Sequence, residues 1–416
     1  MTTRRDRDLV WTRREALVGL TLAGAGIGVG ALARPAGAQR KLAGTEVRLG
    51  AAFPLTGVWS EWGKKDKVAL DMAVDAINAA GGIGGLPVRY VIYDTASKPP
   101  DAGALVRRLA TDDKVLTILG PFSSSECEVA FPVGVQLKVP MVAQASSKPG
   151  IGAANRPWGF RMNVDEGRMA EPAVAHWVTH YKIKTAAVVH DVKDAVGQIL
   201  GARVLPAVAK KNGVTIVNEG QFVTFQTKDI DFSAQVTRLK GMSFDGLIFG
   251  GAYPDAITFI KEARRQGVRQ PMVGGNPLMH ENFAKASAEA GEGVVAPSPW
   301  NPFLPDERVQ RFVRSFGEKA QSAGLPTTPE MVNVNVYETV YLLKDLIERT
   351  GVTNQPDDLA RDRERIMQGL TGTTEFPGLA GKFGFNKEGD GVKDVYVMMV
   401  KGGRWAQVDF AAAKPQ

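Results

Sequence analysis

Ser123, Ser124 and Ser125 follow Gly120-Pro121 at the end of an apolar, β-favouring run, Val115-Leu116-Thr117-Ile118-Leu119, and that order of residue types suits the holding of an anion. The run reads as a buried strand. Gly120-Pro121 ends it, and the residues after the serines can be helical up to Pro132. A helix that begins at such a turn leaves backbone N–H groups without partners, its dipole favours negative charge, and hydroxyls add donors. The same serines serve equally as a helix cap. A second turn of this kind, Ser146-Ser147, follows Pro140-Met141-Val142-Ala143. Catalytic and metal chemistry find less support. His176, His180, His190 and His280 and the single Cys127 show no zinc-like spacing, and G-x-S-x-G, G-x-x-x-x-G-K-[ST] and H-E-x-x-H do not occur. No catalytic residue, metal or cofactor is expected.

The elements that would position these turns alternate. Val47 opens a strand that ends at Phe53, a loop runs from Pro54 to Gly63, and Leu70, Ala73, Val74 and Ile77 mark a helix over 65–79. A strand over 88–93 ends at Asp94, a helix covers 102–111, and the two Ser-turn strands follow. The pattern then restarts, with strands over 185–190, 214–217, 244–249 and 271–273 and helices over 197–211, 232–240 and 254–266. Helices over 306–323, 330–349 and 359–370 and strands near 381–385, 395–400 and 405–408 close the chain. Strand–helix alternation predicts an α/β fold with parallel, doubly wound sheets, and two runs of it predict two lobes. Ligands in such sheets bind beyond the carboxyl ends of the strands. Asp94 and Asp191, at strand ends, read as turn caps.

The 416 residues, 44% hydrophobic and 23% charged, suit two globular domains. The net charge is +7, but residues 1–38 hold six Arg against two Asp and one Glu, which leaves +4 without a basic run, so no nucleic-acid partner is expected. Residues 1–38 read as an export signal: Thr12-Arg13-Arg14, an apolar core from Ala16 to Leu32, and the small-residue site Ala36-Gly37-Ala38 before Gln39. The Arg pair resembles a twin-arginine signal. Ala16 stands where that pattern usually has Phe, which leaves the Sec route open. Cleavage would leave the protein in the periplasm.

Taken together, Gly57 through Trp62-Gly63, Ile77-Asn78-Ala79-Ala80-Gly81-Gly82-Ile83-Gly84-Gly85, Tyr93-Asp94, Gly120 through Ser125, Phe160-Arg161, Lys228-Asp229-Ile230-Asp231-Phe232, Gly250-Gly251 and Phe385-Asn386-Lys387-Glu388-Gly389-Asp390 resemble, in this order, the leucine/isoleucine/valine-binding family of type I periplasmic solute-binding proteins, which serve ABC importers. The resemblance implies two lobes joined by three hinge crossings near Asn163-Val164, Ser298 and 391–393. Lobe I would comprise 41–163 and 299–391, and lobe II 164–298 and 392–414. It implies a non-enzymatic, monomeric receptor whose lobes close over a ligand, with a small-molecule carboxylate or amino acid as ligand and the membrane permease subunits as partners.

In that family the first lobe holds the ligand carboxylate, and the resemblance assigns this role to Ser124, Ala145 through its backbone, and Ser147, with Trp62 at the mouth and Ser123, Ser125 and Ser146 beside them. The second lobe departs from the family, which grips an ammonium with aromatic residues and a glutamate. Here Val196 and Ala252 stand at aromatic positions, with Tyr253 next to Ala252, and Asn276 at the glutamate position. Val, Ala and a neutral amide neither pair with an ammonium nor offer it a π face, so a wall without negative charge and an acid lacking the α-amino group are expected. The rival is a true branched-chain amino acid receptor in which Tyr253 or Asp255 turns inward. A ligand-sensing domain of the same fold is a further alternative.

Overall fold

The computed structural model describes residues 42–412, so the export segment read at 1–38 lies outside the described residues. The first sheet contains β1 (Val47–Phe53), β2 (Val88–Asp94), β3 (Ile118–Leu119), β4 (Met141–Ala143) and β5 (Gly159–Arg161), all parallel, in the order β2-β1-β3-β4-β5. In β1 only Arg48 is exposed, as expected of a parallel strand covered on both faces. The order reverses at β1, so a crevice opens beyond the ends of β1 and β3. The turn before Trp59 and the serine turn both stand there.

The second sheet repeats the arrangement with β6 (Thr185–Asp191), β7 (Thr215–Ile216), β8 (Val223–Phe225), β9 (Gly246–Gly250), β10 (Met272–Gly274) and β11 (Val295–Ser298). Its reversal falls at β6, which lies between β7 and β9, so the segments after Asp191 and Gly250 meet at its crevice. The chain then supplies helices Glu307–Ser322 and Met331–Arg349, which pack on helix Ser60–Ala79 against the first sheet, and helix Leu359–Thr371. A three-stranded antiparallel ribbon follows, β12 (Phe376–Gly378), β13 (Gly381–Phe385) and β14 (Gly391–Val392). Finally β15 (Val395–Lys401) and β16 (Arg404–Ala411) return to the second sheet and pair antiparallel beside β11. The second sheet is therefore parallel except for β15, which runs against both its neighbours, β11 and β16. The chain changes sheets between Arg161 and Glu166, after Ser298, and between Val392 and Val395.

Several local readings need correction. Helix Ser60–Ala79 begins inside the expected loop, which places Trp62 on its first turn. Helix Ser124–Leu137 runs through Pro132. Pro132 and Glu128, whose carbonyl loses its donor, are both exposed, so water can satisfy that carbonyl. Strands β5 and β8 and helices Glu166–Tyr181 and Glu281–Ser287 were not anticipated. Met169, Ala170, Ala173, Val174 and Trp177 form the buried stripe of helix Glu166–Tyr181, but Pro172 within it reads as a breaker. A π turn, Leu200–Val204, interrupts the expected helix over 197–211. At this point the backbones nearly touch: a Cβ on Gly250 would lie 2.5 Å from the Gly201 nitrogen.

Candidate functional site

The carboxyl ends of both sheets face one cavity of about 60 Å³. Trp59, Trp62, Phe122, Ser123, Ser124, Ala145 and Ser147 line it from the first sheet's side. Asp194, Val196, Asn276, Pro277 and Met279 line it from the second, and Glu330, Met331 and Val332 come from the start of helix Met331–Arg349. The three serines divide their roles. Ser123 caps the helix: its Oγ accepts from the Glu126 N–H at 3.2 Å, and its own N–H donates to Glu126 Oε2 at 2.8 Å. Ser124 Oγ accepts from the N–H groups of Ser147 and Lys148, each at 3.2 Å, and meets Ser146 Oγ at 3.1 Å, so it fastens the second Ser turn to the helix start. Ser125 reaches the other lobe, where its Oγ accepts from the Ala195 N–H at 3.2 Å. Ser147 Oγ lies 3.1 Å from Glu166 Oε1. The Ala145 carbonyl accepts from Asn163 Nδ2 at 2.8 Å, which fixes the turn against the first crossing.

On the opposite side Val196 follows Asp194, whose Oδ2 accepts from the Gly197 N–H at 2.8 Å and caps helix Ala195–Ile199. Burial raises the Asp194 carboxyl to about 6 against that bond. A carboxylate therefore lines a wall expected to carry none. Asn276 directs its amide N–H to the Pro297 carbonyl at 3.2 Å. Ala252 is buried at the start of helix Tyr253–Arg265, outside the cavity lining. Tyr253 stacks on His280, centroids 3.9 Å apart, and meets the edge of Trp62 at 5.0 Å. Asp255 instead accepts from the Lys228 N–H at 2.9 Å. Asp94 and Asp191 both hold turns, Asp94 through the Leu55 N–H at 2.8 Å and Asp191 through the Lys193 N–H at 2.7 Å.

Trp62 is the centre of an aromatic group with Trp59 at 5.5 Å and Phe122 at 5.7 Å. Its Nε1–H donates to Glu330 Oε2, and the buried Lys65 lies 3.6 Å from the same carboxylate. Neighbouring Asp66, fully buried, is raised to about 7 by burial despite hydrogen bonds from Gln144 and Asn333. The lobes meet across the mouth: His280 Nε2 stands 2.8 Å from Glu61 Oε1, and Asn282 Nδ2 donates to the same oxygen at 3.0 Å. Trp59, Phe122, Asp194, Pro277, Met279, Glu330, Met331 and Val332 were not anticipated. Phe122 lies inside the serine motif and was readable, but Glu330 reaches the site only through tertiary packing.

Two α/β lobes face one cavity between their strand ends, with the serine turns and an aromatic wall lining it, an arrangement of the binding-protein kind. The periplasmic binding protein family model matches residues 46–404, and the chain belongs to that family, whose members are binding proteins and not enzymes. A leucine-, isoleucine-, valine-, threonine- and alanine-binding protein of Pseudomonas aeruginosa is 26% identical over 355 residues, 85% of this chain and 89% of its own. The leucine-binding protein LivK of Thermotoga maritima superposes with a TM-score of 0.77 at 24% identity, covering 88% of this chain and 99% of its own. A solute-binding protein of an ABC transporter from R. palustris, in complex with benzoate, gives a TM-score of 0.75 at 19% identity over 89% of this chain and 97% of its own.

Proposed function

We propose that this protein is the periplasmic solute-binding component of an ABC importer and that its ligand is a small carboxylic acid with an uncharged aliphatic or aromatic body. The observation that carries this reading is the pairing of the Ser124–Ala145–Ser147 seat with a wall of Trp59, Trp62, Phe122, Val196, Pro277 and Met279. A carboxylate meets the helix start and hydroxyls, and a ring or branched chain meets apolar surface. Benzoate bound to the R. palustris neighbour supports the ligand class. The second reading, a branched-chain amino acid, is favoured by Asp194 in the cavity lining and by the Pseudomonas relative. Asp194 already accepts a backbone N–H, and an α-ammonium gains less from a carboxyl so engaged than from a free one.

Competition calorimetry separates the two readings. Leucine against 4-methyl-2-oxopentanoate and phenylalanine against phenylpyruvate, with benzoate alongside, are expected to favour the acids by about tenfold or more, the effect of at least 1.4 kcal/mol. A uniform preference for the amino acids, abolished by Asp194→Asn, establishes the second reading instead. The two lobes are proposed to meet at the crossings near Asn163, Ser298 and 391–393, with closure of the hinge over the ligand, and the protein to act as a monomer toward its permease. The mature chain is proposed to begin at Gln39. N-terminal sequencing of the exported protein checks this, and an intact Met1 overturns it.

A further inference from the structure

Glu166 is fully buried beside Ser147 and Asn276 of the cavity lining, and among the described residues no cation stands at hydrogen-bond distance from it. Its two oxygens touch one group from each side of the cleft: Oε1 lies 3.1 Å from Ser147 Oγ, and Oε2 lies 3.4 Å from the Asn276 nitrogen. Gly275 makes room for it, since a Cβ there would stand 3.0 Å from Oε2. Arg161, on β5, is the cation that acts on it electrostatically, and Asp165 is the acid on its own turn. The Arg161 guanidinium is committed elsewhere, to Asp390 at 2.7 Å, to the Lys148 carbonyl at 2.6 Å and to Asp165 at 3.5 Å. From the second lobe, Glu166 meets the backbone of Gly275 and Asn276.

We propose that Glu166 is a positioning residue that must be neutral for the seat to hold a carboxylate: its protonated Oε1 donates to Ser147 Oγ, which frees the Ser147 hydroxyl hydrogen for the ligand. The proton comes from solvent and no bond other than hydrogen bonds is made or broken. If Glu166 ionises, Ser147 must donate to it, the ligand loses a donor, and two like charges face each other across one oxygen. This rests on the carboxylate reading above. Burial raises the Glu166 carboxyl to about 8, against the Asn276 N–H and the Ser147 hydroxyl, which favour the charged form.

The sign follows from linkage. An anion bound near Glu166 raises its proton affinity further, so binding takes up a proton where Glu166 is otherwise ionised. Calorimetry with benzoate and with 4-methyl-2-oxopentanoate is expected to give a Kd that rises by up to about tenfold per pH unit above 8, beyond the range in which the Asp194 carboxyl of the lining ionises. Titrations at pH 8.5 in buffers of different ionisation enthalpy should show proton uptake. Glu166→Gln, whose amide donates permanently, should flatten the profile above pH 8 while still binding, and Ser147→Ala should bind more weakly with a shallower rise, since the repulsion between Glu166 and the ligand remains. A wild-type profile as flat as that of Glu166→Gln overturns the proposal. A ligand-free readout tests Glu166 itself. A carboxyl raised in the fold from an ordinary ~4.3 stabilises relative to its ionised form at low pH, and that contribution is lost as pH rises towards 8. The melting temperature of wild type minus that of Glu166→Gln should therefore fall from pH 5 to 8 and level above. A constant difference overturns the proposal whether or not any acid binds. Failure of both acids to bind, with a falling difference, overturns the coupling of Glu166 to a carboxylate and the carboxylate reading, while leaving the raised carboxyl established.

Discussion

Arg161→Met is expected to lower the unfolding free energy by about 3–5 kcal/mol, the usual result of removing one partner from a buried ion pair. Arg161 is fully buried, and its guanidinium lies 2.6 Å from Asp390, itself nearly inaccessible. Burial already pushes the Asp390 carboxyl up, and Arg161 is the charge that holds it down. Without the cation that carboxyl must take a proton or remain charged in an apolar setting. The deficit should therefore be smaller at pH 5 than at pH 8, because protonation at the lower pH removes the uncompensated charge. Urea denaturation at the two pH values measures it, and equal deficits would count against the charge argument. Arg161→Met with Asp390→Leu should recover part of the loss, since Asp390 no longer stands without its cation while Asp165 and the Lys148 carbonyl still lack the guanidinium. The pair also matters to the cleft, because Arg161 donates to the Lys148 carbonyl at the end of the second Ser turn.

Ser124→Ala is expected to weaken binding of benzoate or 4-methyl-2-oxopentanoate by about tenfold to a hundredfold, from a charge-assisted hydrogen bond of roughly 1.5–3 kcal/mol. The structure makes this a larger change than the loss of one donor. Ser124 Oγ also receives the Ser147 and Lys148 N–H groups. Alanine leaves both without that acceptor at the point where the two turns join. Titration calorimetry reads the effect, and wild-type affinity in Ser124→Ala would refute the seat. Ser123→Ala should chiefly cost helix stability, because Ser123 reciprocates hydrogen bonds with Glu126 as a capping box.

The fold was legible because its signals are local. Apolar β-favouring runs such as Val47 to Phe53, punctuated by Gly-Pro and Gly-Gly, stand where parallel strands end in turns, and their repetition gave two sheets. The two serine turns of the cavity lining were legible for the same reason, since Ser124 and Ser147 lie immediately after strands. What the chain did not show was anything brought in from a distance. Glu330 and Met331 begin a helix of the first lobe and reach the cleft by packing on helix Ser60–Ala79. Asp194 was not singled out, because a residue that caps a short helix carries no sign in the sequence of which cavity its carboxyl will line. Glu166 was invisible because Pro172 obscured its helix, and because only the folded chain shows a carboxyl shut between Ser147 and Asn276. Tyr253 was expected either out of the site or as an ammonium ligand. It stacks instead on His280 against Trp62, a role that depends on the two lobes meeting.

The interleaving of the sheets bears on how the chain is made. The second sheet runs β16-β15-β11, so the edge of β11 stays uncovered until Val395–Lys401 arrives. The first lobe likewise waits for helices Glu307–Ser322 and Met331–Arg349 to cover helix Ser60–Ala79. A chain that emerges from its amino end thus covers the first sheet only after Met331–Arg349 and completes the second only after Val395–Lys401. Pairings of such long sequence separation form slowly, and exposed strand edges in the interim invite misassociation.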